Sequence, residues 1–264
     1  MAPESPGLPD DGAALLGSPP LWAATIFGHS VPRLHSWLWR WYTAEHIKNL
    51  CFVMPAGHAK TAVFATEGAM FWLCRDRRLR IASIQKILDQ AQDVLMGVQS
   101  EYEGNSNLRA LYGDFRPPKE RAGFPWSTEK MRVSGNEPGA GSLRSKTHNL
   151  HAFGVGAEGI LGERFDIINA DDIVTRKNSA TPVLRERQRL WFNEVVKKCL
   201  VGSPLRLTRL FGTPFFYDDL YGFIRDHATT ILKPGDWREP DDPSVDASGW
   251  VYIHLDAETG FEEG

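Results

Sequence analysis

Short apolar runs alternate with longer helical segments along this chain, and this alternation limits the possible folds more than any other feature. The runs are NLCFVMP, LRIASI, RFDIINADDI and PLRLTRLFGTP, which are apolar enough to be buried on both faces of a sheet. Segments such as KILDQAQDVLMGVQSEYE and TPVLRERQRLWFNEVVKKCL, with apolar residues at helical spacing, lie between them. The pattern predicts an α/β fold with a mostly parallel central sheet and helices on both faces.

Composition excludes several classes of protein. With 42% hydrophobic and 24% charged residues among 264, the chain has the balance of a globular protein that buries a large core. Its net charge of -3 gives no overall attraction to nucleic acid, so any DNA contact would need a local basic patch or assembly into a ring. Three cysteines without metal-ligand spacing indicate reduced thiols. No apolar run is long enough to span a membrane, and we expect no membrane contact.

The sequence predicts three regions. Residues 1–32, rich in Pro, Gly and Ser, are expected to be a flexible N-terminal segment. Residues 33–232 contain the alternating strands and helices and are expected to form the main domain. Residues 233–264 are expected to be a linker with one terminal strand, WVYIHLDAE.

A candidate phosphate-binding loop lies between the first apolar run and the helix that follows it. Its sequence, PAGHAKT, ends in a lysine that can reach outer phosphates and a threonine that can bind magnesium. Backbone N–H groups of such a loop bind an anion at the start of a helix. Glycine is usual where this chain has Ala59, whose Cβ is small. The predicted ATP-binding residues are Pro55, Ala56, Gly57, His58, Ala59, Lys60 and Thr61.

Two acids at the end of a buried strand are the second element of the predicted site. Nucleotide hydrolysis needs one carboxylate near the metal and another that orients and deprotonates the attacking water. We assign Asp171 to the metal, together with Thr61, and Asp172 to the water. The alternative is an acid pair that caps the next helix. A third element, Gly-Thr-Pro at the end of the next strand, places Thr213 where it can sense the terminal phosphate.

These elements, in this order and spacing, resemble the N-terminal ATPase domain of the large terminase subunit of tailed bacteriophages. The resemblance extends from about Trp37 to Phe223 and depends on PAGHAKT, GILGERFDIINADDI, GTPFFYDDLYG and the block that ends in LYGDF. It implies an ASCE-type P-loop fold for residues 33–232, with ATP and Mg²⁺ bound at Lys60, Thr61 and Asp171. It also implies Asp172 as the catalytic acid and Thr213 as part of a coupling motif.

The resemblance further implies the biological setting. Such a chain hydrolyses ATP to move double-stranded DNA into a procapsid, gripping the DNA backbone without base readout. Its partners are the portal protein and the small terminase subunit, and its active form is a homo-oligomeric ring, generally a pentamer, with a monomer as the alternative for the isolated chain. The location implied is the host cytoplasm, with a transient stay on the procapsid portal.

The chain departs from the family pattern at several positions. Many members have an arginine in the loop, where this chain has Ala56, and another where it has Leu161. An arginine finger must then come from elsewhere, with Arg164 as the first candidate and Arg144 and Arg176 after it; for each, a solvated surface arginine is the alternative. We find no counterpart of the family's nuclease half in the 264 residues, so we expect no nuclease activity from them.

Other interpretations stay open at this stage. A helicase-like or other P-loop motor would share the same acids, and a non-hydrolysing module could bind nucleotide for assembly alone. The tryptophans and Tyr42 of RLHSWLWRWYTAEHI could stack on adenine or pack in the core. DNA could meet the basic run Arg75 to Arg80 or the loop that contains Lys119 and Arg121.

Overall fold

A computed structural model describes residues 8–117, 125–135 and 148–256 of the chain, without side chains for 8–11. Its centre is a sheet of eight strands in the order β3-β4-β2-β5-β6-β1-β8-β7, and every neighbouring pair is parallel except β3 with β4. The predicted α/β fold with a mostly parallel sheet is confirmed. The strands are β1 Asn49–Val53, β2 Ile81–Gln85, β3 Lys130–Met131, β4 Leu150–Gly154, β5 Ile167–Asp171, β6 Leu207–Gly212, β7 Ala228–Leu232 and β8 Trp250–His254.

Helices cover both faces of the sheet. The strands β2, β5 and β6 are buried at every residue, as continuous apolar runs predict for a sheet covered on both sides. The helical segments are α1 Leu8–Leu16, α2 Pro19–Phe27, α3 Arg33–Thr43, a π-helix Thr61–Glu67 continued by α4 Gly68–Arg75, α5 Leu88–Gly104, α6 Ser106–Tyr112, a 3-10 turn Glu158–Gly162, α7 Pro182–Cys199 and α8 Leu220–Asp226.

Two hydrophobic clusters lie on opposite faces of the sheet, and β1 contributes to both. Phe52 joins the cluster formed with α2 to α6, whereas Cys51 and Val53 join the cluster formed with α7 and α8. Alternate residues of a strand point to opposite faces, so one short apolar run supplies both layers of core.

The segment expected to be flexible contains ordered structure from residue 8 onwards. Trp22 of α2 is fully buried, and its ring lies 5.3 Å from that of Phe71 and 6.1 Å from that of Trp39 in edge-to-face packing. The structure therefore differs from the prediction over α2. The Pro, Gly and Ser content predicts flexibility, but burial of the large apolar ring of Trp22 against other aromatic rings holds α2 in place.

The aromatic residues of α3 pack in the core, which was one of their two predicted roles. Trp37, Trp39, Trp41 and Tyr42 are all buried, and the indole N–H of Trp37 donates to the carbonyl of Arg238 at 2.8 Å. Their faces are covered by neighbouring side chains of the same cluster.

The C-terminal strand is an inner strand of the sheet. β8 lies between β1 and β7 and pairs with both in parallel. The predicted strand over WVYIHLDAE is thus present at Trp250–His254, and its neighbour β7 was not predicted from the sequence. Among the described residues, no helix has both the length and the apolar character needed to cross a membrane.

Candidate functional site

The predicted phosphate-binding loop, the two acids and Thr213 meet at the carboxyl ends of β1, β5 and β6, three strands that are neighbours in the sheet. In a parallel sheet this edge faces the helix N-termini and is the usual place for ligands. Residues 54–60, called here the β1 loop, connect β1 to the π-helix at this edge. Lys60 and Thr61 therefore lie beside the ends of β5 and β6.

The β1 loop has the backbone shape of a glycine-rich turn although it contains only one glycine. Gly57 has φ of 87° and Ala59 has φ of 52°, both in the left-handed region that favours glycine. Ala59 thus adopts the conformation expected where a glycine is usual. Across the loop, the imidazole of His35 on α3 lies 3.0 Å from the carbonyl of His58 and ties the loop to α3.

Lys60 is turned inward across the loop. Its ammonium donates to the carbonyls of Met54 at 3.3 Å and Pro55 at 3.0 Å, and to the hydroxyl of Thr213 at 3.1 Å. The side chain is 5% exposed. All three of these acceptors are neutral groups, so an anion bound at the loop would supply the counter-charge that this buried side chain lacks among its hydrogen-bond partners.

Asp171 ends β5 within reach of the loop. Its Oδ2 accepts from the hydroxyl of Thr61 at 2.5 Å and from the amide of Gln85 at 3.1 Å. Its Oδ1 is buried and has no hydrogen-bond partner among the described residues. Burial is the main cause that raises the pKa of Asp171 to about 6; the Asp172 charge adds to the rise, and the Thr61 and Gln85 hydrogen bonds oppose it.

Thr213, just after β6, is hydrogen-bonded both to Asp172 at the end of β5 and to Lys60 of the β1 loop. Asp172 has φ of 46°, and its Oδ1 accepts from the backbone N–H of Thr213 at 2.9 Å. Thr213 also contacts Lys60, so a single residue after β6 touches both the lysine and the second acid.

There is no room for a side chain at Gly212, where an added Cβ would lie 2.0 Å from the Tyr221 hydroxyl and 2.9 Å from Asp172 Oδ1.

A cavity of about 460 Å³ opens beside these acids. Its size is within the range of small-molecule sites. It lies between the start of the π-helix, the end of β2 and the first turns of α5. The lining residues are Thr61, Ala62, Thr66, Gln85, Lys86, Gln90, Asp93, Val94 and Asp172.

The donor set at this edge fits magnesium better than a metal held by protein ligands alone. Among the described residues, no group of three or more His, Cys, Asp or Glu could hold a metal ion. Mg²⁺ is usually bound through one or two carboxylates, with waters and substrate phosphates as the other ligands. Asp171, with a buried oxygen that lacks a partner, and the hydroxyl of Thr61 beside it are suited to that arrangement.

Sequence reasoning missed two residues of the site and left a third unexplained. Gln85 and Lys86 come from β2, whose end adjoins β5, and no motif marks them. Asn169, an unexpected polar residue in β5, donates from its amide to the carbonyl of Phe64 at 2.9 Å and so attaches the π-helix to the sheet.

The candidate arginines are not brought to this edge in the same way. Arg164 is exposed at the amino end of β5, so the length of that strand separates it from Asp171, and its guanidinium donates to the neighbouring carbonyl of Glu163 at 2.8 Å. Arg176 follows Asp172 closely along the chain, and its guanidinium carbon lies 5.9 Å from the ring centre of Phe215. Arg144 lies outside the described residues, as do Lys119 and Arg121 of the proposed DNA loop.

Other charged residues of interest have structural partners. In the basic run, Arg80 forms a two-pronged ion pair with Asp166, and Arg77 donates to the carbonyl of Tyr112 at 2.5 Å. Asp219 caps α8 by accepting from the N–H groups of Tyr221 at 2.9 Å and Gly222 at 3.1 Å.

Comparisons with known proteins add nothing to the geometry: no model of a protein family matches the chain, and no curated protein is significantly similar to it.

Proposed function

We propose that this chain is an ASCE-type P-loop ATPase, and that it powers the packaging of double-stranded viral DNA as the ATPase domain of a large terminase subunit does. One observation carries the proposal. Lys60, the last residue of the β1 loop, and Thr61, the first residue of the π-helix, reach the ends of two different strands, Lys60 at Thr213 and Thr61 at Asp171. An ATPase needs its phosphate-binding and metal-binding groups joined in this way.

The strand order supports the ASCE assignment. β6 lies between β1, which carries the loop, and β5, which carries the acids. An additional strand between those two is the arrangement expected of this division of P-loop proteins. Thr213, at the end of that additional strand, is then in the position where a polar residue can sense the terminal phosphate.

Each residue has a distinct part in the proposed reaction. The N–H groups of the β1 loop and the ammonium of Lys60 bind the phosphates, and the dipole of the following helix favours their negative charge. Thr61 and Asp171 would hold Mg²⁺, which when bound neutralises the phosphates and orients them. Asp172 accepts the proton of the attacking water. Its carboxylate is oriented by the N–H of Thr213 at 2.9 Å.

The route from hydrolysis to movement would pass through Thr213. Loss of the terminal phosphate changes what Lys60 and Asp172 contact, and both touch this residue. Thr213 leads directly into the turn in which Asp219 accepts from the N–H groups of Phe215 at 2.9 Å and Phe216 at 3.1 Å and caps α8. A shift of Thr213 would therefore be carried to α8 through a rigid turn.

The assembly belongs to the proposal as well. We propose a ring of copies on the portal, in which Arg164 from a neighbouring copy could complete each site, because within one copy it lies at the far edge of the sheet. Double-stranded DNA, the portal protein and the small terminase subunit are the partners expected in the host cytoplasm.

ATP turnover, measured with and without double-stranded DNA, tests the proposal. The parent chain should hydrolyse ATP in the presence of Mg²⁺, and Asp172→Asn should lower the rate by about 10²- to 10⁴-fold while nucleotide still binds. Lys60→Ala should weaken nucleotide binding itself. Asp241→Asn, a change at a carboxylate that is 92% exposed, is the matched control and should have no effect.

The same measurement separates the alternatives. Nucleotide binding without turnover would favour a non-hydrolysing assembly module. Turnover stimulated by single-stranded but not double-stranded DNA would favour a helicase-like motor. Turnover that survives Asp172→Asn would remove the catalytic role assigned to that acid.

A further inference from the structure

The cavity beside Thr61 and Asp172 has a cationic side chain that the proposed mechanism does not use. Lys86 is the only lysine or arginine in its lining, which also contains the carboxylates of Asp93 and Asp172. The site proposed for the phosphates is therefore flanked by Lys60 on the side of β1 and by Lys86 on the side of β2. The two acids at the end of β5 lie between these lysines in the strand order.

The backbone at Lys86 is held in place by the residue before it. Gln85 is 3% exposed, and its amide donates to Asp171 Oδ2 at 3.1 Å. β2 also pairs with β5 in parallel, with Ile84 opposite Ala170. Lys86 thus follows directly from a buried residue that is bonded to the proposed metal-binding acid.

The side chain of Lys86 is exposed, and within the described residues it has no hydrogen bond or ion pair. Lys60, in contrast, already donates to two carbonyls and to Thr213. Lys86 also lines a neighbouring cavity of about 540 Å³ that contains Glu129, yet it is paired with neither that glutamate nor Asp93. Because no described residue pairs with this exposed ammonium, the part of the chain that the structure describes leaves it able to turn toward an anion at the acidic cavity.

The charges of the site indicate that this anion is the terminal phosphate of a bound triphosphate. A triphosphate placed near Asp171 and Asp172 adds several negative charges to two existing ones, and Ala56 supplies no cation where the terminase pattern has arginine. Arg164 is at the opposite edge of the sheet. Cations near the terminal phosphate stabilise the charge that develops there during transfer.

We propose that Lys86 contacts the terminal phosphate of ATP within the same chain and takes the place of the arginine missing from the β1 loop. This inference rests on the proposed function. It makes Lys86 a catalytic residue that distinguishes ATP from ADP, since ADP lacks the group that the lysine would contact.

Binding of two ligands tests the inference without measuring turnover. The affinities for Mg-ADP and for Mg-ADP with aluminium fluoride, which occupies the place of the terminal phosphate, would be determined by calorimetry. Lys86→Gln should weaken binding of the fluoride complex by about 10- to 100-fold, the range for a charge-assisted hydrogen bond. Its affinity for ADP should change less than about twofold, and Lys86→Arg should restore most of the loss.

Two controls separate the possible failures. Lys197→Gln, at an exposed lysine near the amino ends of the strands, should leave both affinities unchanged. If the parent chain binds neither ligand, the proposed function fails and this inference with it. If the parent binds both and Lys86→Gln weakens both equally or neither, the lysine has no contact with the terminal phosphate, whereas the proposed function stands.

Discussion

Two charged side chains on adjacent strands, Arg209 of β6 and Asp171 of β5, are both fully buried but differ in how their charge is satisfied. Arg209 donates to the carbonyls of Tyr42 at 2.6 Å, Ile47 at 2.8 Å and Ala44 at 2.8 Å. Both oxygens of Asp171 are buried, but only Oδ2 is hydrogen-bonded among the described residues.

The difference separates a charge whose hydrogen bonds hold α3 against the sheet from a carboxylate that keeps one buried oxygen without a partner among the described residues. Burial lowers the pKa of Arg209 to about 10, which leaves it charged at neutral pH, and its donors close the carboxyl end of α3 against β6. Burial raises the pKa of Asp171 to about 6, because its hydrogen bonds do not offset the loss of water. Strongly perturbed groups in a cleft are typical of functional sites.

The largest effect is expected from Arg209→Met. The change removes the guanidinium donor from the buried carbonyls of Tyr42 and Ile47 and from the part-buried carbonyl of Ala44. A buried carbonyl left without a donor costs about 1–3 kcal/mol. The free energy of unfolding in urea should fall by about 3 kcal/mol or more. Arg164→Met is the matched control, because Arg164 is exposed and, among the described residues, its guanidinium donates only to the neighbouring carbonyl of Glu163. The change should alter stability by less than about 0.5 kcal/mol. If both changes lowered the free energy of unfolding equally, the buried hydrogen bonds of Arg209 would not be the reason for its effect on stability.

Asp171→Asn should come next in size, with an effect that depends on pH. A folded-state pKa of about 6, above the ordinary 3.8, means that the folded chain holds a proton there that the unfolded chain has lost. The stability that this proton contributes is fully present below about pH 4 and is lost as pH rises to about 6. Two pKa units correspond to ~3 kcal/mol.

The measurement is urea unfolding of the parent and of each Asn variant from about pH 2 to about pH 7, which covers the range below the ordinary aspartate pKa of 3.8. The parent should lose stability relative to Asp171→Asn as pH rises. Asp166→Asn should show the opposite pH dependence. Burial alone would raise the pKa of Asp166, but its hydrogen bonds and ion pair with Arg80 outweigh that effect and lower the pKa. Stability from Asp166 should be lost as pH falls through its folded-state pKa. If the free energy of unfolding depended on pH in the same way for the parent and Asp171→Asn, ionisation of Asp171 would cost the folded state little free energy.

The smallest effect is expected in the β1 loop. Ala59→Gly removes the penalty of a left-handed φ at 52°, which is about 1 kcal/mol and is partly offset by the greater freedom of glycine in the unfolded chain. The variant should match or exceed the parent in thermal midpoint. Gly57→Ala, at φ of 87°, should lower the midpoint. A lower thermal midpoint for Ala59→Gly would show that the methyl group of Ala59 stabilises the fold by more than its left-handed φ destabilises it.

The sheet could be predicted because its strands are continuous apolar runs, and β1, β2, β5 and β6 all lie where those runs do. The pairing of Thr61 with Asp171 followed from the same reading, since parallel strands bring their carboxyl ends to one edge. The ordered α2 could not be predicted by composition, since its place depends on Trp22 meeting Phe71. Lys86 could not be predicted either, because only the order of strands places the end of β2 beside β5.

The alternation of strands and helices, the loop with Lys60 and the twin acids can be read from the amino-acid sequence, because apolar periodicity and residue chemistry are local properties. Which buried charge is satisfied by hydrogen bonds, and which is not, depends on how the chain packs in three dimensions. Arg209 and Asp171 are both polar residues in apolar strands, and what separates them is the set of donors and acceptors that distant parts of the chain bring to each.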